Sequence, residues 1–158
     1  MVPYPEFNGH GWSATYTYYI DGVAVVGDHT AVQKTDAGEY EVTFTFVPGS
    51  SNVQFTTDAQ TVGTAKIAQA DNKIENTPEL ASALVYTAGA QELIKTAPVP
   101  TFGTVTYYIG EETFDDPAKV KKTDAGEYTI EYSVDGGSNY KSIEKTQLTA
   151  APATIAPA

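Results

Sequence analysis

The heptapeptide Lys34-Thr-Asp-Ala-Gly-Glu-Tyr40 occurs twice in the chain, the second time as Lys122-Thr-Asp-Ala-Gly-Glu-Tyr128. Three further blocks recur in the same order: Tyr18-Tyr-Ile20 as Tyr107-Tyr-Ile109, Pro48-Gly-Ser-Ser-Asn52 as Gly136-Gly-Ser-Asn139, and Ile67-Ala-Gln-Ala70 as Ile155-Ala-Pro-Ala158. Self-similarity of this kind indicates duplicated structural units. We therefore predict a first domain over residues 1–70, a linker over 71–82 and a second domain over 83–158.

The two units differ at their beginnings. Unit 2 has strand-like segments near its start, at 84–86 and 92–94, whereas the chain before Tyr18 begins with the turn-forming Pro3 and Pro5. Unit 1 is therefore expected to lack most of a first strand. Either its edge strand is short, or a neighbouring chain supplies a strand by β-augmentation.

Alternating apolar and polar residues predict strands in both units. In the segment 40–46 one face carries Tyr40, Val42, Phe44 and Phe46, and the other carries Glu41, Thr43 and Thr45; the segment 128–134 repeats this pattern. One apolar and one polar face are typical of antiparallel sheets. No segment has a sustained helical period, and turn-forming dipeptides punctuate the chain. The pattern predicts an all-β protein with several short strands in each unit.

The repeated heptapeptide matches a known corner of immunoglobulin-type sandwiches. There, a tyrosine near the start of strand F hydrogen-bonds back to the backbone, two residues before a core cysteine. We assign the structural corner to Asp36, Gly38 and Tyr40 and to Asp124, Gly126 and Tyr128, with Val42 and Ile130 in the core in place of cysteine. We expect each aspartate to bond local backbone and each glycine to allow a positive φ or a close approach. Each tyrosine ring should be buried with its hydroxyl satisfied. The rival interpretation makes Asp36 and Glu39 catalytic or metal-binding, but a motif that occurs twice between strands favours the structural role.

These motifs resemble the Ig-like tandem repeats of large bacterial surface proteins, relatives of which also decorate phage virions. The resemblance rests on Leu84-Val-Tyr-Thr-Ala-Gly-Ala-Gln-Glu-Leu93, Thr106-Tyr-Tyr-Ile109, the segment 122–130 and Gly136-Gly-Ser-Asn-Tyr140. It implies two tandem immunoglobulin-like β-sandwich domains without disulfides. Such modules serve as spacers, adhesins or capsid ornaments, so the resemblance alone does not choose a function.

Composition excludes several classes of protein. The 158 residues include 20 Asp plus Glu against 9 basic residues, all of them lysine, for a formal net charge of −11. Nucleic-acid binding is disfavoured, because phosphates must be neutralised by Lys or Arg. The absence of cysteine rules out disulfides and thiolate chemistry. No apolar stretch approaches the roughly 18 residues of a membrane span.

Candidate catalytic and metal-binding residues are few. The only histidines, His10 and His29, lie among glycines and aspartates in predicted loops, without the sequence context of a nucleophile elbow or a phosphate loop. The acidic loop Glu111, Glu112, Asp115 and Asp116 offers oxygen ligands of the kind that Ca²⁺ prefers. A solvated acidic loop is the favoured interpretation. We therefore expect no catalytic residue, no metal site and no cofactor.

Tyr19 and Tyr108 are the candidate surface contacts, because the alternation points both away from the core. Exposed aromatic residues are enriched at interfaces. They could equally cover the neighbouring unit or pair across the strand.

These observations favour a non-enzymatic structural or binding protein. Because the chain begins with Met1 and has neither a secretion signal nor a sorting tail, we expect a phage virion decoration protein of the auxiliary capsid or head-fibre type, on the virion surface. Its partners would be capsid or other virion proteins, a host-surface ligand or further copies of the chain. The alternative is a fragment of a bacterial cell-surface adhesin or spacer, in which the segment 150–158 leads to another repeat.

Overall fold

The computed structural model describes residues 14–49 and 58–158. In these ranges the regular elements are β-strands and two single-turn 3-10 helices, His29–Ala31 and Pro117–Lys119, so the predicted all-β class is confirmed. The chain divides into two compact units, residues 1–68 and 69–158. Neither helix of the described ranges has the length and hydropathy needed to cross a bilayer.

The described residues of unit 1 form an antiparallel sheet with the strand order β2-β1-β3-β4. Its strands are β1 (Ala14–Ile20), β2 (Val23–Val25), β3 (Gly38–Pro48) and β4 (Gln60–Ile67). Asp21 and Gly22 connect β1 to β2 with φ angles of 50° and 77°, as a tight hairpin requires. Residues 1–13, where the sequence predicts an incomplete first strand, lie outside the described residues.

Unit 2 contains a four-stranded antiparallel sheet in the order β10-β9-β13-β14, together with the smaller sheets β12-β15-β6, β11-β7 and β5-β8. The strands, in chain order, are β5 (Glu79–Leu80), β6 (Leu84–Val85), β7 (Gln91–Glu92), β8 (Ile94–Thr96), β9 (Thr104–Ile109), β10 (Glu112–Phe114), β11 (Lys121–Lys122), β12 (Gly126–Tyr128), β13 (Glu131–Asp135), β14 (Ile143–Gln147) and β15 (Ala153–Ala156).

The two four-stranded sheets repeat each other in strand order, and several strand pairs also repeat in register. Tyr18 lies opposite Phe44 in unit 1, and the corresponding Tyr107 lies opposite Tyr132 in unit 2. Gly38 pairs with Ile67 in β3 and β4, and Gly126 pairs with Ile155 in the smaller sheet β12-β15-β6 of unit 2. The pairing of β13 with β14 is displaced by two residues from that of β3 with β4. A slip of one residue would turn every side chain to the opposite face. The shared register therefore shows that the sequence repeat is also a structural repeat.

The predicted inward faces form the cores. The buried cluster of unit 2 consists of Leu93, Ile94, Tyr107, Val120, Ile130, Tyr132, Val134, Leu148, Ala153 and Ile155. In the described part of unit 1 the buried apolar residues are Tyr18, Ile20 and Val42. The half-buried rings of Tyr16 and Phe44 lie beside them, with centroids 6.0 Å apart.

The segment 71–82, predicted as a linker, is hydrogen-bonded into unit 2. The side chain of Asn76 donates to the carbonyl of Ala97 and accepts from the amide of Val99, each at 2.8 Å. The side chain of Asn72 makes the same two-way contact with the backbone of Phe102. Backbone bonds hold the segment too: the amide of Glu75 donates to the carbonyl of Val99 at 2.8 Å, and β5 within the segment pairs with β8. The structure therefore pairs the segment predicted as a linker with the rest of unit 2.

Candidate binding surface

Both tyrosine corners are formed in the same way. The Tyr40 hydroxyl donates to the backbone carbonyl of Asp36 at 2.8 Å, and the Tyr128 hydroxyl donates to that of Asp124 at 2.9 Å. Each bond spans four residues and ties the start of a strand to the preceding turn. Both rings are half-buried, so the expectation of fully buried rings was wrong: each ring covers the edge of its core and remains accessible on one side.

The aspartates and glycines of the corners act mainly through the backbone. Each aspartate supplies its main-chain carbonyl oxygen, and the Asp124 carboxylate has no hydrogen bond within the described ranges. A Cβ on Gly38 would lie 3.3 Å from the ring of Tyr40, so this position needs a close approach. Gly126 has no positive φ, and a Cβ there would meet Tyr128 at an ordinary 3.6 Å. The expected need for glycine therefore applies to unit 1 more than to unit 2.

Val42 and Ile130, placed by the sequence in the core where immunoglobulin-type sandwiches carry cysteine, are both buried. Val42 is 4% exposed and Ile130 is 2% exposed. The backbone carbonyl of Ile130 also accepts from the amide of Leu148 at 2.8 Å. Packing rather than a disulfide therefore holds these positions.

Tyr19 and Tyr108 are half-buried and pair across their strands, one of the two alternatives that the alternation left open. The Tyr19 hydroxyl is 3.4 Å from Thr45 Oγ1, and the Tyr108 hydroxyl is 3.0 Å from Ser133 Oγ. Lys145 Nζ lies 4.5 Å from the centroid of the Tyr108 ring, within the range of a cation–π contact. These contacts stabilise the outer faces of the sheets.

Three of the four carboxylates of the acidic loop are paired with neighbouring groups of unit 2. Lys122 pairs with Glu112, and Lys119 pairs with Asp115 at 2.7 Å. The Asp116 carboxylate accepts from the backbone amide of Ala118 at 2.8 Å, which caps the 3-10 helix. Among the described residues no group of three or more His, Cys, Asp or Glu side chains is arranged to hold a metal ion. The loop thus has the character of a solvated, ion-paired turn.

The capping aspartates were missed at the level of sequence. Asp28 accepts from the Thr30 amide at 2.8 Å, just as Asp116 does at the equivalent turn of unit 2. The hydrogen bonds from Thr30 lower the pKa of Asp28. An aspartate followed by proline at the first helical position, as in Asp116-Pro117, was the available signal. His29 lies in the capped turn of unit 1, and His10 lies outside the described residues.

Shifted pKa values occur in two settings. Burial raises the pKa of Tyr107, with a smaller contribution from the charge of Asp116, and burial also raises the pKa of Tyr132. At the surface, the hydrogen bond from Lys141 lowers the pKa of Asp71, and that from Lys95 lowers the pKa of Glu79. Burial favours the neutral form of the two core phenols. The two surface ion pairs join the segment 71–82 to later residues of unit 2.

An apolar groove of about 350 Å³ opens on unit 1, and sequence reasoning did not find it. Residues 32–34 form one wall, and Ala65 and Ile67 of β4 form the other. Ile20, Tyr40 and Val42 complete its lining. Its concave shape and apolar lining are features of a binding site.

Comparison of the chain with models of protein families, with curated proteins and with solved structures finds no match.

Proposed function

We propose that the chain is a non-enzymatic structural and binding protein built from two immunoglobulin-like β-sandwich domains. The observation that carries the proposal is the repetition of one strand order, of matching strand pairs and of one tyrosine-corner bond in both units. In the described ranges no polar or charged residue is buried. Catalytic sites commonly hold such groups in clefts, where burial and neighbouring charges shift their pKa values. A duplicated scaffold with a polar, ion-paired surface suits a building or binding role better.

Support for the immunoglobulin-like assignment comes from the corner and the residue that follows it. Tyr128 hydrogen-bonds backward over four residues, and Ile130, two positions later, is buried where immunoglobulin-type sandwiches carry cysteine. Tyr40 and Val42 repeat the arrangement in unit 1. In unit 2 the apolar cluster draws residues from the four-stranded sheet and from the smaller sheets, as a two-layer sandwich would.

Two settings suit such a protein. The first, which we favour, is the surface of a phage virion, where the chain would decorate the capsid or a head fibre. The second is a bacterial cell surface, where the same modules would act as an adhesin or spacer. The resemblance of the sequence motifs supports both settings. Eight of the nine lysines form ion pairs with carboxylates, and an acidic, ion-paired surface favours solubility in either setting.

Antibodies raised against the purified chain test the proposal on material from the culture that produces it. Phage particles purified by density-gradient centrifugation, and washed cells, would be immunogold-labelled in parallel, with pre-immune serum as the control. Labelling of the particles supports the virion setting, and labelling of the cell envelope alone supports the second setting. If the protein is found in the soluble lysate only, both settings are wrong.

A further inference from the structure

The groove of unit 1 has a filled counterpart in unit 2. A shift of 88 residues converts Val32, Ala65 and Ile67 of the groove into Val120, Ala153 and Ile155. These three residues of unit 2 are 0%, 1% and 1% exposed. In unit 1, Val32 and Ile67 are only half-buried and Ala65 is exposed. The same apolar surface is therefore covered in unit 2 and, as far as residues 14–49 and 58–68 show, open in unit 1.

The cover in unit 2 is the segment Leu84–Ile94, which begins with β6 and includes β7. β6 pairs in parallel with β15, and the amide of Tyr86 donates to the carbonyl of Ala156 at 2.8 Å. β7 pairs with β11, and the amide of Leu93 donates to the carbonyl of Val120 at 3.0 Å. The segment thus bridges two strand edges, and its Leu93 side chain is 0% exposed between them.

The corresponding edges of unit 1 have no strand beside them in the described ranges. β4 is the last strand of its sheet, so the backbone groups on its outer edge pair with no other strand of the described ranges. Residues 33 and 34, equivalent to β11, belong to no strand. Open edges of this kind are templates for an added strand.

Lys34 gives the groove a charge to be matched. It is the one lysine of the chain that has no carboxylate partner among the described residues; its Nζ lies 5.4 Å from the Tyr40 ring. Its counterpart Lys122 pairs with Glu112, where unit 1 has Val23. An occupant with an acidic residue opposite Lys34 would complete the pairing.

We propose that the groove of unit 1 binds an extended segment of a different polypeptide, which adds β-strand pairing to residues 32–34 and to β4. The segment carries apolar residues where unit 2 has Leu84 and Leu93, and a carboxylate where unit 2 has Gln91, the residue opposite Lys122. A second copy of this chain is not the occupant, because its matching segment is already held in its own unit 2. The inference rests on the proposed binding role and names the kind of partner.

A peptide with the sequence of residues 83–95, carrying glutamate in place of Gln91, tests the proposal against the full-length protein. Binding would be followed by isothermal titration calorimetry and by amide chemical shifts of the ¹⁵N-labelled chain. We expect saturable binding, with shifts concentrated at residues 32–34 and 65–68. A peptide with aspartate in place of both leucines should not bind.

Charge exchange then identifies the register. Lys34→Glu should weaken binding of the glutamate peptide about two- to fivefold, the range of a partly exposed ion pair, and a peptide with lysine at the same position should recover it. Lys73→Glu in unit 2, with the same change of charge, serves as the matched control and should leave binding unchanged.

Four results would overturn the proposal. The first is that the peptide does not bind the full-length chain, and the second is that the amide shifts are confined to unit 2. The third is a set of NOE cross-peaks that place residues 1–13 against residues 65–67. The fourth is concentration-dependent self-association that broadens the NMR signals of residues 32–34. The third would assign the groove to the chain's own beginning, and the fourth to a second copy. These measurements use purified protein, so their failure leaves the immunogold result, and with it the proposed function, independently testable.

Discussion

Replacement of Ile130 by alanine should destabilise unit 2 strongly. The side chain is 2% exposed and lies in the buried cluster with residues from β13 and β15. Its backbone bond with Leu148 survives the substitution, so the loss comes from the side chain alone. Removal of a buried isoleucine to alanine costs about 2–5 kcal/mol of the free energy of unfolding, through lost burial and the cavity left behind.

Urea unfolding of the full-length protein, followed by NMR cross-peaks of Val134 and Leu148, measures this cost in unit 2 separately from unit 1. Thr129→Ala is the matched control, because Thr129 is the exposed neighbour and its change should stay within about 0.5 kcal/mol. If Ile130→Ala unfolds the unit outright, Ile130→Val should remain folded and cost about 0.5–1.5 kcal/mol. A cost below about 0.5 kcal/mol for Ile130→Ala would show that the residue does not face the core and that the predicted strand faces are reversed.

Three further predictions concern the tyrosine corner, the segment 71–82 and the pH dependence of stability. Tyr128→Phe deletes one hydrogen bond and should lower the free energy of unfolding by about 1 kcal/mol in urea titrations; no change would contradict the corner. Asn76→Ala leaves two backbone groups unsatisfied, so the amide of Val99 should lose protection in hydrogen exchange, whereas persistent protection would show that the side chain does not hold the segment. Burial raises the folded-state pKa of Tyr107 and Tyr132, so stability should be full below about pH 10 and fall as the pH rises past that value; thermal unfolding that is constant from pH 8 to 11 would refute this.

The repeated strands and their inward faces could be predicted from the sequence, because apolar and polar residues alternate along them. Alternation placed Val42 and Ile130 on inward faces, and both are buried. The two corner tyrosines make the backward bond that the motif predicts. Both features depend on neighbours close in the chain or on a two-residue period, which a single sequence displays directly.

The pairing of the segment 71–82 with unit 2 and the groove of unit 1 could not be predicted in the same way. Asn72 and Asn76 hold their segment through side-chain amides, and in sequence such residues are typical of turns and linkers. The groove depends on what covers a surface, which is a long-range property. Val32 and Val120 are equivalent in sequence but differ in exposure: Leu84–Ile94 covers Val120, and no strand of the described part of unit 1 covers Val32. The expectation that the rings of Tyr40 and Tyr128 are buried was wrong for a similar reason. A motif does not show how much of a ring its neighbours cover.

The central claim, that the same strand pairs are formed in both units, can be tested by cross-strand NOEs in the full-length protein. The account predicts backbone contacts for the pairs Gly38–Ile67 and Gly126–Ile155 and for the pairs Tyr18–Phe44 and Tyr107–Tyr132. Contacts displaced by one residue in either unit, or present in one unit and missing from the other, would contradict it.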